Sequence, residues 1–259
     1  MAQPQLIDKC CNTPATDAVW KSLGADKVLA TQVHGEDRTV YRTGPKDSKI
    51  GIIGVHDIFG YHPTTHQFYD RLATAHGGFQ VSVPYFFKDR TISEEFVSNR
   101  PALMAWLAVN GSYKDSHLDE FILAAVEDLK ADGCEVFVIY GQCWGTFIAM
   151  QAVSDEKMPF LAAGGPHPSA LSQELIEKVS YPIILLPAKE DMDMLPLMEI
   201  MKEKNLKVDS FHHRFENVHH GWTGARGDWT NPEQLEAAEQ AIHMLAEFTE
   251  KVVKANKDA

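Results

Sequence analysis

Thiols are scarce in this sequence. Four cysteines, Cys10, Cys11, Cys134 and Cys143, stand among 259 residues, and none forms a C-x-x-C pair. That excludes a disulfide scaffold and argues against a zinc ribbon or a dithiol redox motif, so reduced thiols are expected. Long apolar runs are missing too. No stretch of eighteen or more apolar residues could span a bilayer, and Met1 to Pro14 holds no continuous apolar core of a signal peptide, so a soluble cytoplasmic protein is expected. Positive charge is outnumbered, with 24 Lys and Arg against 36 Asp and Glu and a formal net charge of -12. This balance argues against nucleic acid or an anionic membrane surface as the main partner. The sequence also contains no Ser/Gly-rich spacer, low-complexity tract or internal repeat, so residues 1–259 are expected to form one domain. The 44% hydrophobic content is enough for a large core.

What is present is an alternation of apolar runs and helical stripes. Lys27 to Gln32 and Thr39 to Arg42 read as two strands of an opening hairpin turning at Gly35-Glu36-Asp37. Strands are then expected at Ile50 to His56, Phe79 to Pro84, Glu135 to Tyr140, Phe160 to Ala163, Ile183 to Leu186 and Val208 to Phe215. Helices are expected at Thr64 to Ala75, His117 to Ala131, Ser172 to Val179 and Leu195 to Lys204. A last one starts at Asn231-Pro232, an N-cap followed by proline, and should cover the sheet. Strand and helix in alternation imply an α/β domain with a mostly parallel central sheet and helices on both faces.

The segment Gly141-Gln142-Cys143-Trp144-Gly145 places a cysteine between glycines two before and two after it, with a β-rich run upstream and a helical one downstream. That is the setting of a nucleophile elbow, a tight strand-to-helix turn that only small flanking residues allow. A thiol nucleophile needs a base, usually histidine, and the histidine needs an acceptor on its other nitrogen. Twelve histidines compete. With the order nucleophile, acid, histidine, the loop after Ile183 to Leu186 offers Asp191, with Glu190 and Asp193 as possible substitutes. The loop after the last strand offers His220 beside Gly221, with His219 as the alternative, while His212 and His213 point to opposite faces of a strand. Two backbone donors are required for an oxyanion, and the candidates are the amides of Trp144 and Ile58. Only His219 and His220 are adjacent, and neither has an H-x-x-x-H or C-x-x-C partner, so no metal is expected.

Four pieces in this order, Asp57-Ile58-Phe59-Gly60, Gly141 to Gly145, Ala188-Lys189-Glu190-Asp191 and His220-Gly221-Trp222, resemble the dienelactone hydrolase family of α/β-hydrolases, which uses a cysteine nucleophile. The resemblance implies an α/β-hydrolase fold and a hydrolase of small esters or lactones without a cofactor, with Cys143, His220 and Asp191 as its triad. It also implies that Asp57 pairs with the resting thiol, and that Arg226 and Arg90 are counterparts of arginines that hold a substrate carboxylate. The chain departs from the family where Tyr85-Phe86-Phe87 follows Val83-Pro84 in place of an aspartate, which is expected to alter local hydrogen bonding. The expected partner is a small ester or lactone, and the expected assembly a monomer or weak homodimer. A non-catalytic binding protein on the same scaffold is the alternative, although every triad position holds a competent residue. Cys10 and Cys11 receive no role.

Overall fold

The computed structural model describes residues 14–88, 92 and 99–258. Eight strands form one sheet: β1 (Ala25–Val28), β2 (Thr39–Thr43), β3 (Ile50–Val55), β4 (Gln80–Pro84), β5 (Val136–Gly141), β6 (Phe160–Pro166), β7 (Ile183–Leu186) and β8 (Phe211–His212). Their spatial order is β1-β2-β4-β3-β5-β6-β7-β8. The pairings β1–β2 and β2–β4 are antiparallel, and all others are parallel. The helices are α1 (Pro63–Thr74), α2 (Arg100–Asn110), α3 (Leu118–Ala131), α4 (Trp144–Val153), α5 (Gln173–Glu177), α6 (Leu195–Glu203) and α7 (Pro232–Lys257).

Each central strand feeds two cores because successive side chains leave opposite faces. In β5, Phe137 and Ile139 join one apolar cluster, and Val138 and Tyr140 the other. The first cluster packs against α2 through α6, and the second against α1 and α7. The α7 start is capped as its sequence implies, with the Asn231 side chain accepting from the Glu233 amide at 2.9 Å. Tyr140 Oη reaches Thr249 Oγ1 of this helix at 2.8 Å. Tyr69 from α1 joins the two middle strands where they end: its hydroxyl accepts from Val55 N–H at 3.0 Å and donates to Tyr140 O at 2.8 Å.

Three differences from the sequence reading have local causes. The first strand ends at Val28, because the register pairs Val28 with Thr39. The chain beyond it closes its own turn, with Val33 and Glu36 exchanging both backbone hydrogen bonds at 3.1 Å around His34 and Gly35. The last strand shrinks to Phe211–His212, although Phe215 N–H still reaches Pro187 O at 2.8 Å. Helix α2 escapes the periodic pattern because Ala102 to Val109 is apolar without a break, so no polar face sets off a stripe, although only Leu103 and Leu107 of it are buried. Its start is nonetheless marked by Asn99, whose side chain accepts from the Ala102 amide at 3.2 Å, and by Pro101. Among the described residues, no helix is long and apolar enough to cross a membrane.

Candidate active site

The C-terminal ends of β3, β5, β6 and β7 meet at Cys143. Strand β5 stops at Gly141, helix α4 starts at Trp144, and Cys143 between them adopts φ 55° and ψ -117°, a strained backbone for a residue with a Cβ. The glycines make this turn possible. A Cβ on Gly141 would stand 2.0 Å from the Gly145 carbonyl, and one on Gly145 would stand 2.4 Å from Val55 O. The elbow therefore presses directly on the end of β3. It also sets the thiol at the positive end of α4, where a thiolate is favoured.

Two loops bring the charged groups. After β7, the loop turns so that Asp191 is buried, while Glu190 and Asp193 remain exposed. Asp193 instead caps α6 by accepting from Leu195 N–H at 3.0 Å. One Asp191 oxygen accepts from Ala188 N–H at 2.7 Å, and the other accepts from His220 Nδ1–H at 2.5 Å. Arg214 braces this loop from behind, its guanidinium donating to the carbonyls of Ala188 at 2.6 Å, Asp191 at 3.1 Å and Met192 at 2.7 Å. His220 is itself buried, and its Nε2 faces the sulfur, so the imidazole lies between carboxylate and thiol. Burial opposes a charge on this ring. The charges and hydrogen bonds of Cys143 and Asp191 outweigh it and raise the His220 pKa to about 10. His219 turns aside, its Nδ1 2.9 Å from the His220 carbonyl, His212 ends β8, and His213 just beyond it donates its amide to Leu185 O at 3.2 Å.

The oxyanion candidates occupy matching positions. Trp144 opens α4, so its amide has no acceptor within the helix. In the loop after β3, Phe59 N–H donates to Asp57 Oδ1 at 2.9 Å and Gly60 N–H to Asp57 O at 3.1 Å, whereas the Ile58 amide between them meets no acceptor among the described residues.

Asp57 is anchored by backbone amides close to the thiol. Its second oxygen accepts from Ala225 N–H at 2.8 Å, so both oxygens are held by backbone amides, and the residue ties the loop after β3 to the loop after His220. A Cβ on Gly224 would lie 2.4 Å from that oxygen, which keeps the position bare. Burial first, and the nearby Cys143 second, raise the Asp57 pKa to about 7. Arg226 is buried in the same loop with its stem against Gly221. Arg90 lies outside the described residues.

The Tyr85-Phe86-Phe87 departure has a packing consequence. Phe86 and Phe87 are buried, with ring centroids 6.2 and 4.9 Å from Trp144, and Trp106 joins Phe87 at 4.7 Å. The result is an aromatic wall beside Cys143. His56 completes it, 4.9 Å from Phe87 and 5.9 Å from Trp144. Its Nδ1–H donates to Asp57 O at 2.7 Å, and burial lowers its pKa to about 4.

The sequence reading missed two neighbours of the thiol, His167 and Ser169. His167, in the loop Pro166-His167-Pro168-Ser169 after β6, is fully buried, and its ring centroid lies 4.9 Å from that of His220. Its Nε2 is 2.9 Å from Thr223 Oγ1. Donor atoms of Cys143, His167 and His220 all lie within 4.8 Å of one another, so the fold assembles a ligand set that spacing along the chain had set aside. Ser169 Oγ is 3.5 Å from the sulfur, and Ser169 N–H donates to Cys143 O at 3.3 Å. Gln142, next to the cysteine, donates from Nε2 to Thr223 O at 2.7 Å, which fixes the elbow to the loop after His220. The available signal was position: ligands gather at the C-terminal ends of parallel strands, and His167 directly follows one.

Comparison with known proteins agrees with this architecture. A putative dienelactone hydrolase from Klebsiella pneumoniae superposes with a TM-score of 0.65 at 16% identity, covering 88% of this chain and 98% of that one. A dienelactone hydrolase-like promiscuous phosphotriesterase from metagenomic libraries gives 0.62 at 14% identity, over 87% of this chain and 98% of its own. Among curated sequences, Dienlactone hydrolase 1 of Gibberella moniliformis is 29% identical over 235 residues, 84% of this chain and 85% of the relative. An uncharacterised AIM2 family protein of Schizosaccharomyces pombe is 25% identical over 216 residues, 80% of this chain and 85% of the relative. Residues 39–253 match the dienelactone hydrolase family, and with most of its length inside that match the chain belongs to this family of hydrolases.

Proposed function

We propose that this hydrolase cleaves small esters or lactones with Cys143 as nucleophile, His220 as proton carrier and Asp191 as the group that orients it. The observation that carries the reading is the His220 imidazole, bonded at Nδ1 to a buried carboxylate at 2.5 Å and directed at Nε2 towards the sulfur. Such a pair supplies a thiolate beside an imidazolium. The sulfur attacks the acyl carbon, and the oxyanion that forms is met by the amides of Trp144 and Ile58. Collapse of the intermediate expels the alkoxide, which takes the proton from His220 Nε2. Water, deprotonated by the now neutral imidazole, then hydrolyses the thioester and frees the acid. In a lactone, alcohol and acid remain in one molecule. The aromatic wall of Trp144, Phe86 and Phe87 supports a compact, largely apolar acyl group.

The test is hydrolysis of dienelactone, p-nitrophenyl acetate and a simple thioester by the wild type and by Cys143→Ala. Turnover that vanishes in the variant supports the reading and ranks the substrates. Turnover that survives Cys143→Ala overturns it.

A further inference from the structure

We propose that Cys143, His167 and His220 form a three-ligand site for a thiophilic divalent cation, with Zn2+ as its natural size and charge, and that occupancy silences the nucleophile reversibly. The ligand atoms are Cys143 Sγ, His167 Nδ1 and His220 Nε2, all within 4.8 Å of one another and all on buried residues. Neither nitrogen has an oxygen or nitrogen partner, and both face the sulfur. A tetrahedral zinc with Zn–N near 2.0–2.1 Å and Zn–S near 2.3 Å needs its ligands about 3.3–3.6 Å apart, a closing of at most about 1.5 Å.

The opposite nitrogens strengthen the argument. Metal-binding histidines characteristically donate their second N–H to a carboxylate or oxygen acceptor, which fixes the tautomer. Here His220 Nδ1 lies 2.5 Å from Asp191 Oδ1, and His167 Nε2 lies 2.9 Å from Thr223 Oγ1. Both rings are thereby oriented with the metal-facing nitrogen inward. Charge also balances: a divalent ion offsets one thiolate and the Asp191 carboxylate. One sulfur with two imidazoles favours zinc, cobalt or cadmium over magnesium or calcium. A plain triad uses one histidine, so His167 is the residue that separates a metal site from a thiol–imidazole pair. On binding, the ion takes the sulfur lone pair and displaces the His220 Nε2 proton to solvent, and the cysteine can no longer attack.

The experiment is titration of the reduced, metal-free full-length chain with Co2+, followed by Zn2+ displacement; it needs no substrate, so its outcome is independent of the hydrolase reading. The expected result is one Co2+ per chain with a thiolate-to-cobalt charge-transfer band and tetrahedral visible bands, all removed by zinc. Cys143→Ser should lose the charge-transfer band, and His167→Gln should weaken binding by at least about tenfold. X-ray absorption on the zinc-loaded wild type should count one sulfur and two imidazoles, a readout that does not depend on any variant folding. Absence of the band in the wild type, its survival in Cys143→Ser, unchanged affinity in folded His167→Gln, or a different ligand count would each overturn the proposal.

Discussion

Two histidines flank one sulfur, and the fold gives them opposite electrostatic fates. His220 has a carboxylate behind it, and its pKa rises to about 10; His167 has a hydroxyl behind it, and its pKa falls to about 4. Both rings are fully buried, so burial alone does not separate them. For His220 the Cys143 charge and the Asp191 carboxylate together overcome burial, whereas for His167, with no carboxylate bonded to it, burial prevails. This turns a roster of twelve histidines into one candidate base and one candidate ligand.

The comparison breaks most sharply on the charged side. His220→Gln, like Cys143→Ala, is expected to lower kcat/KM on the order of 10^4–10^6-fold, read from steady-state hydrolysis of the best ester in the panel. Asp191→Asn removes the charge behind His220 and turns its tautomer. A loss of about 10^4-fold is expected, with the KM changing far less than the kcat.

On the neutral side the effect moves from rate to stability. A histidine whose folded pKa lies below its unfolded value refuses protons that the unfolded chain accepts. His56, His66 and His167, each lowered to about 4, therefore cost stability as pH falls from about 6.5 towards 4. Asp57, raised to about 7, has the opposite sign: it gains a proton in the folded state first and stabilises over the same descent. Comparing wild type with His167→Gln cancels the Asp57 contribution. The variant should lose less stability on acidification, by up to roughly 3 kcal/mol, measured by urea unfolding at pH 7 and pH 4.5. An equal loss in both proteins would show that His167 is protonated in the fold. The smallest effect is expected of Thr223→Val, which removes the oxygen behind His167 and one acceptor of Gln142 Nε2. A cost of about 1–3 kcal/mol in the same unfolding assay follows from the stranded buried donors.

The parts of the site legible in sequence are those whose signal is local. Gly141 and Gly145 announce the elbow because backbone presses on both, and Asp191 and His220 sit in loops directly after recognisable runs. Asp191 was preferred along the chain with Glu190 and Asp193 as substitutes, and folding separates them by burying Asp191 and exposing the other two. His167, Arg214 and the Asp57–Ala225 bond depend on which loops meet in space, and no spacing encodes that. The fold was readable because β5 and β7 alternate between two apolar clusters. Helix α2 was not, because Ala102 to Val109 is apolar on every side and leaves no helical period to read.

The aromatic wall differs in kind from the loops around it. Phe86, Phe87 and Trp106 meet Trp144 and one another through ring surfaces, whereas the loops carrying Asp57, Gln142, Asp191 and His220 are laced by directional hydrogen bonds. Ring contacts tolerate exchange for other apolar shapes, and hydrogen-bonded loops do not. Under the proposed ester or lactone chemistry, the rings beside Cys143 can be exchanged one at a time while the hydrogen-bonded loops stay untouched, which makes the chain a suitable parent for evolving new acyl preferences.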